Sequence, residues 1–274
     1  MGLVITGDTT VAELADVWLR HLRAEGRLES TTINEYDRVL SKLVLSELGS
    51  LRLRELTTSR INILLESLRG QSVNRQRKAK VVMGAMFEIA MGHDALTVNP
   101  VRQAARVQRP KSETRSLTLD DLATVRAAVQ AWMAKDRPGP KASRDTADII
   151  DLMLATGARI GEVLALRWSD VDLESAQPNL TISGTVKTEP SMGTYRKPIP
   201  DASTNFRTVA LPDLGAKVLG RRRASAPGSP IDAVFPTRNG TWQQVNNVER
   251  RWRQIRKDTG LEWVTPHAFR GLLA

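Results

Sequence analysis

Apolar residues recur at helical spacing through the first hundred residues of the chain. Positions three, four and seven apart are apolar in four successive stretches, a period typical of amphipathic helices rather than of strands. Gly70 is a predicted stop for the third of these helices. Residues 1–100 are therefore expected to form a small helical bundle. Two Thr–Glu pairs have the spacing of an N-terminal capping box: Thr10 with Glu13, and Thr32 with Glu35.

The pattern changes in the second part of the chain, residues 117–274. Helical periods, one of them ending at Gly157, are mixed there with short segments of high strand propensity. The chain is therefore predicted to be mainly α with a small antiparallel β-sheet. The predicted strand segments are 180–182, 184–186 and 207–211, and the later predicted helices are 212–223 and 245–258.

The chain is basic, with a formal net charge of +10, and the excess is uneven. Residues 1–100 carry 13 Lys and Arg against 12 Asp and Glu, whereas residues 101–274 carry 27 against 18. Such an excess is typical of proteins that bind a polyanion, most often nucleic acid. Residues 101–116 are predicted to be a basic linker, which either follows a phosphate backbone or is a solvated tether. The candidate DNA-binding residues are Arg75, Arg77, Lys78, Lys80, Arg106, Arg109 and Lys111.

Several classes of protein are excluded or disfavoured by composition. The chain has no cysteine, and its three histidines are far apart, so neither a disulfide framework nor a metal site is predicted. No cofactor is expected. No apolar run reaches the roughly 20 residues that a bilayer requires, and the N-terminus lacks the features of a signal peptide. The simplest expectation is a cytoplasmic protein with no membrane partner.

Arg159 stands at a turn between two apolar helical segments. A guanidinium fixed at such a turn is suited to bidentate binding of a phosphate. The alternative is an arginine that only forms a salt bridge with Glu162 or Asp170, and the local sequence leaves both interpretations open.

A second candidate segment lies at residues 265–270. Thr265 is a plausible N-cap and Pro266 suits the first helical position. His267 and Arg270, three residues apart, are expected on one face of the helical turn. A histidine can exchange protons near neutral pH, and an arginine can bind the same anion. The alternative is a surface His and Arg on an ordinary turn.

In combination, these segments resemble the tyrosine recombinases of the phage-integrase type. The resemblance rests on the order of a helical first domain, a basic linker, ATGARIGEVLALRWSDVDL at 155–173, a β-hairpin expected to close in RTVALP at 207–212, and TPHAFR at 265–270. It covers nearly the whole chain and looks closest to integrases of actinobacterial phages and mobile elements. It implies a SAM-like core-binding domain at 1–100 and a catalytic domain at 117–274 that together grip duplex DNA.

The resemblance also implies a mechanism. In the family a tyrosine attacks the scissile phosphate, two arginines stabilise the transition state, and a lysine and a histidine assist proton transfer. Matched to this sequence, Arg159 and Arg270 are the two arginines and His267 is the histidine. Glu162 stands at the acidic position that supports the first arginine. A homo-oligomer, or an assembly with a full-length integrase, is an expected partner.

Two departures from the family pattern bear on activity. The only tyrosines are Tyr36 and Tyr195, and neither lies at the position of the nucleophile. Asp201 stands where the family's hairpin lysine is expected. Lys197 and Lys187 are nearby, and the sequence does not decide between them. We therefore expect a recombinase homologue, truncated before the nucleophile, that binds DNA without cleaving it. We also expect it to expose apolar surface around Phe269, Leu272 and Leu273.

Other functions stay open at this point. The chain is alternatively an accessory or competitor protein of a full-length integrase, or a cropped or frameshifted copy of an active one. Outside the family, a helical transcription regulator accounts for the basic charge but not for the segment around Arg159.

Overall fold

The computed structural model describes residues 4–108, 115–135, 143–225, 228–257 and 259–273. Its contacts divide the chain into two compact units, Met1–Glu113 and Thr114–Ala274. Helices dominate and the strands form small antiparallel sheets, which confirms the predicted mainly α class. No helix among the described residues is long and apolar enough to cross a membrane.

The first unit is a helical bundle. Its α-helices are α1 (Val11–Glu25), α2 (Ser30–Val39), α3 (Leu45–Leu48), α4 (Thr58–Gln71) and α5 (Val73–Gly92). A π-helical turn joins α2 to α3, and a short 3₁₀ turn precedes α4. The apolar faces predicted from the helical period meet in one core, which includes the fully buried Phe87.

One of the two predicted capping boxes in this unit is confirmed and the other is wrong. Thr10 accepts a hydrogen bond from the backbone of Glu13, whose carboxylate accepts one from the backbone of Thr10. Thr32 lies inside α2, which begins at Ser30 without a side-chain cap. Glu35 binds Lys78 of α5 instead, because the bundle brings the two helices together. A contact between α2 and α5 therefore replaces the capping hydrogen bond that the local pattern predicted for the Glu35 carboxylate.

Two boundaries in the first unit also differ from the prediction. Helix α4 continues through Gly70 and ends at Gln71, since α5 follows after a single residue. The packed part of the unit extends past residue 100, because Val101 and Ala104 are buried in its core. The Lys80 ammonium donates to the carbonyls of Ala104 and Ala105, at 2.8 Å each.

The second unit is built around a buried helix. Its elements are α6 (Leu119–Ala134), α7 (Asp145–Thr156), α8 (Ile160–Leu164), β1 (Val171–Asp172), β2 (Asn179–Ile182), β3 (Gly184–Glu189), β4 (Gly193–Pro198), β5 (Arg207–Ala210), α9 (Asp213–Ser225), α10 (Val245–Ile255) and a 3₁₀ helix (Pro266–Leu273). A capping box between Thr118 and Asp121 starts α6. Almost every residue of α7 is buried, because α6, α9, α10 and the 3₁₀ helix pack around it.

The strands form two sheets rather than one. Strands β1, β2 and β5 make a three-stranded antiparallel sheet, and β3 with β4 makes a separate hairpin. The expectation that Arg207–Leu211 closes the hairpin is therefore wrong. Arg207 pairs with Ile182 of β2, and the hairpin partner of β3 is β4, which no strand prediction included.

The C-terminal 3₁₀ helix is attached to the core of the second unit. Phe269 is fully buried and meets the Trp252 ring edge-on at 5.4 Å between ring centroids. The predicted exposure of apolar surface at Phe269 is therefore wrong, since α7 and α10 supply the surface that covers it. The side chains of Leu272 and Leu273, which the same prediction included, lie outside the described part.

Candidate phosphate-binding site

The site is built on the turn between α7 and α8. Gly157 ends α7 in the left-handed region, with φ of 63°, a conformation that glycine adopts without a steric penalty. The buried Thr156 hydroxyl accepts a hydrogen bond from the backbone of Ala158 at 3.2 Å. The chain then leaves the turn at Arg159, which is the N-cap residue of α8. The glycine stop predicted from sequence therefore fixes where Arg159 emerges.

Glu162 is the buried anion of this site. Its side chain is only 3% exposed, and its Oε1 accepts a hydrogen bond from Arg159 Nη1 at 2.7 Å. Its Oε2 accepts from the Arg159 backbone N–H and from Arg207 Nη2, both at 2.9 Å. Burial by itself raises the pKa of the Glu162 carboxyl, but hydrogen bonds from Arg207 and Arg159 outweigh it and leave the pKa below its usual range.

Arg159 is both salt-bridged and accessible. Its pairing with Glu162 is the alternative that the sequence left open, while the predicted pairing with Asp170 does not occur. Asp170 binds Arg167 and Arg196 instead. The Arg159 side chain is nevertheless 53% exposed, so the pairing does not remove it from solvent. A salt bridge and a ligand contact are therefore compatible at this arginine.

Arg270 reaches the same turn from the 3₁₀ helix. Its Nε donates to the carbonyl of Gly157 at 2.6 Å, two residues before Arg159. The buried Phe269 beside it anchors the helix to the core. His267 lies three residues before Arg270, which is one turn of a 3₁₀ helix, so the two side chains leave the same side of that helix. His267 is exposed.

An arginine of the hairpin attaches it to the residue that follows α8. Arg196 of β4 donates to the carbonyl of Ala165 at 2.9 Å and to the Ser183 hydroxyl at 2.5 Å. Its guanidinium passes over Gly184, where an added Cβ would lie 2.5 Å from the Arg196 Cζ. Burial lowers the pKa of Arg196, as does the charge of Arg167. The hairpin is therefore fixed relative to the segment that carries Arg159.

The lysines considered for the general acid lie on this hairpin. Lys187 is on β3 opposite Tyr195, and Lys197 is on β4 opposite Thr185. Asp201, which stands at the expected lysine position, is exposed in the loop between β4 and β5 and is not part of the hairpin. The choice between Lys197 and Lys187 stays a prediction.

Both tyrosines of the chain have contacts within their own units. The Tyr36 ring stacks on Trp18 at 5.5 Å between ring centroids. The Tyr195 hydroxyl donates to the Glu189 carboxylate across the hairpin at 2.5 Å.

The candidate DNA-binding residues of the first unit differ in what they contact. Arg77 and Arg106 are exposed, and Arg75 is exposed with a hydrogen bond to Gln71. Lys78 pairs with Glu35, and Lys80 binds backbone carbonyls as described above. Arg109 and Lys111 lie outside the described residues.

Two residues of the site were missed by sequence reasoning. Arg207 was recognised only as part of a strand, and Asn205, whose Oδ1 accepts from Arg159 Nη1 at 3.1 Å, was not singled out. Both lie more than forty residues from Arg159, so helical or strand spacing gave no signal for either contact. Within the part of the chain that the structure describes, no group of three His, Cys, Asp or Glu side chains could hold a metal ion.

Comparisons with known proteins identify the family. Residues 115–274 match the model of the phage integrase family. The tyrosine recombinase XerC of Alcanivorax borkumensis is 26% identical over 261 residues, which cover 94% of this chain and 78% of the relative. A Tn1549 transposon integrase structure, solved in complex with DNA, gives a TM-score of 0.78 at 18% identity and covers 96% of this chain and 84% of its own. A lambda integrase dimer bound to a core site gives 0.70 at 19% identity, with 96% and 69% coverage. The chain belongs to the phage integrase family.

Proposed function

We propose that this chain binds duplex DNA as a site-specific recombinase homologue and holds a backbone phosphate between Arg159, Arg270 and His267. The observation that carries the proposal is that both arginines are hydrogen-bonded to one segment, Gly157–Glu162. Two guanidiniums held at one turn are suited to an anion that carries several acceptor oxygens.

The charges at this turn support an anionic ligand. Glu162 is the acidic group next to Arg159, and it is shared with a second cation, Arg207. With Arg270, which donates to the Gly157 carbonyl, three guanidiniums and one buried carboxylate are attached to this turn, which leaves a net positive charge. A phosphate would supply the missing negative charge. Phosphate contacts fix the position of a protein on DNA without reading its sequence.

We further propose that the polypeptide of residues 1–274 binds DNA without cutting it. Cleavage by the family's mechanism requires a tyrosine at the phosphate. Tyr36 belongs to the first unit, and the Tyr195 hydroxyl is hydrogen-bonded to Glu189. Asp201, where a lysine was expected, adds a negative charge to the loop before β5. If the gene continues in frame to a further tyrosine, the longer product is expected to cleave.

The finer assignments from the sequence remain part of this proposal. The first unit is proposed to be a SAM-like core-binding domain with its own DNA contacts, among them Arg75, Arg77 and Arg106. The likeness to integrases of actinobacterial phages stays a prediction. Assembly on DNA as a homo-oligomer, or with a full-length integrase, is proposed because neighbouring structures are integrase dimers and tetramers.

The salt dependence of DNA binding tests the first part of the proposal. Affinity for a short duplex, measured by fluorescence anisotropy, should fall steeply with salt because bound counterions are released. Arg159→Ala and Arg270→Ala should each weaken binding about tenfold, as expected for loss of a charged hydrogen bond. Arg223→Ala removes a charge from an exposed arginine elsewhere in the second unit and serves as the control. Salt-independent binding, or no difference between the variants and the control, contradicts the proposal.

A nicked suicide substrate tests the second part. The protein should bind this DNA, and denaturing gels should show no covalent protein–DNA adduct. A trapped adduct that disappears in Tyr195→Phe would show that Tyr195 is a nucleophile after all.

A competitor role follows from the same observation. A chain that holds the phosphate but does not cut it would occupy the site of an active integrase. Adding residues 1–274 to an active integrase on a shared attachment site should slow recombination, and Arg159→Ala should weaken this inhibition.

A further inference from the structure

Arg159 and three further residues, Glu162, Arg207 and Asn205, form a closed ring of hydrogen bonds. Glu162 Oε1 accepts from Arg159 Nη1 at 2.7 Å, and Glu162 Oε2 accepts from Arg207 Nη2 at 2.9 Å. Arg207 Nη1 donates to the carbonyl of Asn205 at 3.0 Å. Asn205 Oδ1 then accepts from Arg159 Nη1 at 3.1 Å and completes the ring. The β4–β5 loop therefore reaches the arginine proposed to bind phosphate, and the first residue of β5 reaches its partner Glu162.

The ring determines which edge of Arg159 faces a ligand. A guanidinium has five N–H donors, two of them on Nη1. Glu162 and Asn205 both accept from Nη1, which occupies its two protons and restrains the plane of the group. The edge formed by Nε and Nη2 has no acceptor among the residues that the structure describes. Two parallel donors on one edge match a phosphate bidentately.

Arg207 acts on this geometry only through other residues. Its side chain is 30% exposed, and its two hydrogen bonds run to Glu162 and Asn205. Without Arg207, Glu162 Oε2 would retain only the backbone N–H of Arg159. The Asn205 carbonyl would also lose its hydrogen bond from the Arg207 side chain. Both acceptors of Arg159 Nη1 would therefore be less constrained.

We propose that Arg207 and Asn205 are positioning residues that orient Arg159 so that its Nε–Nη2 edge faces a DNA phosphate. The inference rests on the proposed function, since Arg159 must bind phosphate for its orientation to matter. It assigns to the loop 199–206 a role other than the placement of a general acid.

A double-mutant cycle tests this assignment in the full chain. Arg207→Met should weaken duplex binding about threefold to tenfold, a range typical of coupled neighbours. In the Arg159→Ala background, Arg207→Met should cause no further loss. Arg223→Met removes the same charge in the same unit, and its small effect should add to that of Arg159→Ala. Additive losses for Arg207→Met would overturn the proposal, because they would mean that Arg207 contacts DNA itself or acts on folding alone.

Two further variants separate orientation from folding. Arg207→Lys keeps a donor for Glu162 and should recover part of the affinity. Asn205→Ala lies on an exposed loop, so it should fold normally and still weaken binding, with no effect when Arg159 is already alanine. If Arg207→Met fails to fold, the Asn205 cycle alone decides, and additivity there also overturns the proposal.

A DNA-independent measurement distinguishes failure of the two proposals. The heteronuclear NOE of the Arg159 side-chain Nε reports how rigidly the guanidinium is held. It should fall in Arg207→Met and in Asn205→Ala and stay unchanged in Arg223→Met. If the NOE falls while Arg159→Ala binds DNA normally, phosphate binding at Arg159 is wrong but the positioning ring is real. If the NOE is unchanged, the positioning role is wrong whatever the DNA affinity.

Discussion

The two units of this chain differ in what their interiors contain. The buried polar side chains of the first unit, within the described residues, are uncharged: Thr9, Gln76 and Asn99. The second unit buries Asp148, Glu162 and Arg222 as well as apolar residues. Its interior therefore combines a hydrophobic core with paired charges.

This difference indicates that the second unit depends on electrostatic interactions for its geometry more than the first unit does. Burial of apolar surface is not directional and stabilises a bundle without fixing individual polar atoms. A buried ion pair adds little net stability, but losing one partner leaves an uncompensated charge. The first unit is therefore expected to tolerate loss of ion pairs, whereas the second unit is expected to respond strongly to it.

The largest effect is expected at Asp148. Its carboxylate pairs with Arg221 at 2.7 Å and with the buried Arg222 at 3.4 Å. Asp148→Ala should lower the free energy of unfolding of the second unit by about 3 kcal/mol, because the buried Arg222 keeps only Asp145 and the more exposed Arg221 loses its carboxylate. The matched change in the first unit, Glu35→Ala, breaks partly exposed pairs and should cost about 1 kcal/mol or less. Hydrogen exchange, read separately for peptides of each unit, measures the stability loss that each variant causes. Equal losses would show that the two units do not differ in their dependence on ion pairs.

The next effect is expected at Glu162. Glu162→Gln keeps the shape of the side chain but removes the charge shared by Arg159 and Arg207. The second unit should lose about 2 kcal/mol, the size of a charged hydrogen bond. The exposed Glu66, paired with Arg69, provides the control in the first unit, and Glu66→Gln should change little. Chemical denaturation with exchange as the local probe would show whether the loss is confined to the second unit.

Lowering the pH should destabilise the two units to different extents, without any mutation. The pKa values of Glu162 and Asp170 are below their usual ranges, because hydrogen bonds from arginines outweigh the effect of burial. Their contribution is present above the ordinary carboxyl pKa and is lost as the pH falls through the lowered values. Asp151 acts in the opposite direction, since burial raises its pKa. We expect the second unit to open first on acidification, and Glu162→Gln to reduce that pH dependence. Earlier opening of the first unit would contradict this expectation.

The smallest effect is expected at the two capping boxes, where the units should behave alike. Thr10 caps α1 in the first unit and Thr118 caps α6 in the second, each through the same reciprocal pattern. Thr10→Ala and Thr118→Ala should each cost about 1 kcal/mol, the usual value for a lost N-cap. Thermal unfolding with local exchange measures both. A much larger loss of stability in Thr118→Ala than in Thr10→Ala would mean that the second unit also depends more strongly on helix capping.

Local signals in the sequence predicted part of the fold and of the site. The helical period located most helices, and Gly157 correctly marked the end of α7. The spacing of His267 and Arg270 placed both on one side of a helical turn. Each of these features depends on residues within one or two turns of each other, so a short stretch of sequence contains the necessary information.

Predictions failed where a distant partner competed for the same group. Glu35 was assigned to a cap but binds Lys78, which lies on another helix. Arg207 was assigned to the hairpin but its strand pairs with β2. The choice of a strand partner depends on hydrogen bonds between segments far apart in sequence, and strand propensity does not contain that information.

The sequence by itself determined the helical character of the chain, the turn that presents Arg159, and the motifs that resemble the phage integrases. Only the tertiary structure decided how Arg159 is held. Glu162 lies within one helical turn of Arg159, so their pairing was within reach of local reasoning. Arg207, Asn205 and Arg270 come from a strand, a loop and a 3₁₀ helix that the folded core brings to the same turn. Hydrogen bonds fix such a site only after packing has placed donors and acceptors within about 3 Å of each other.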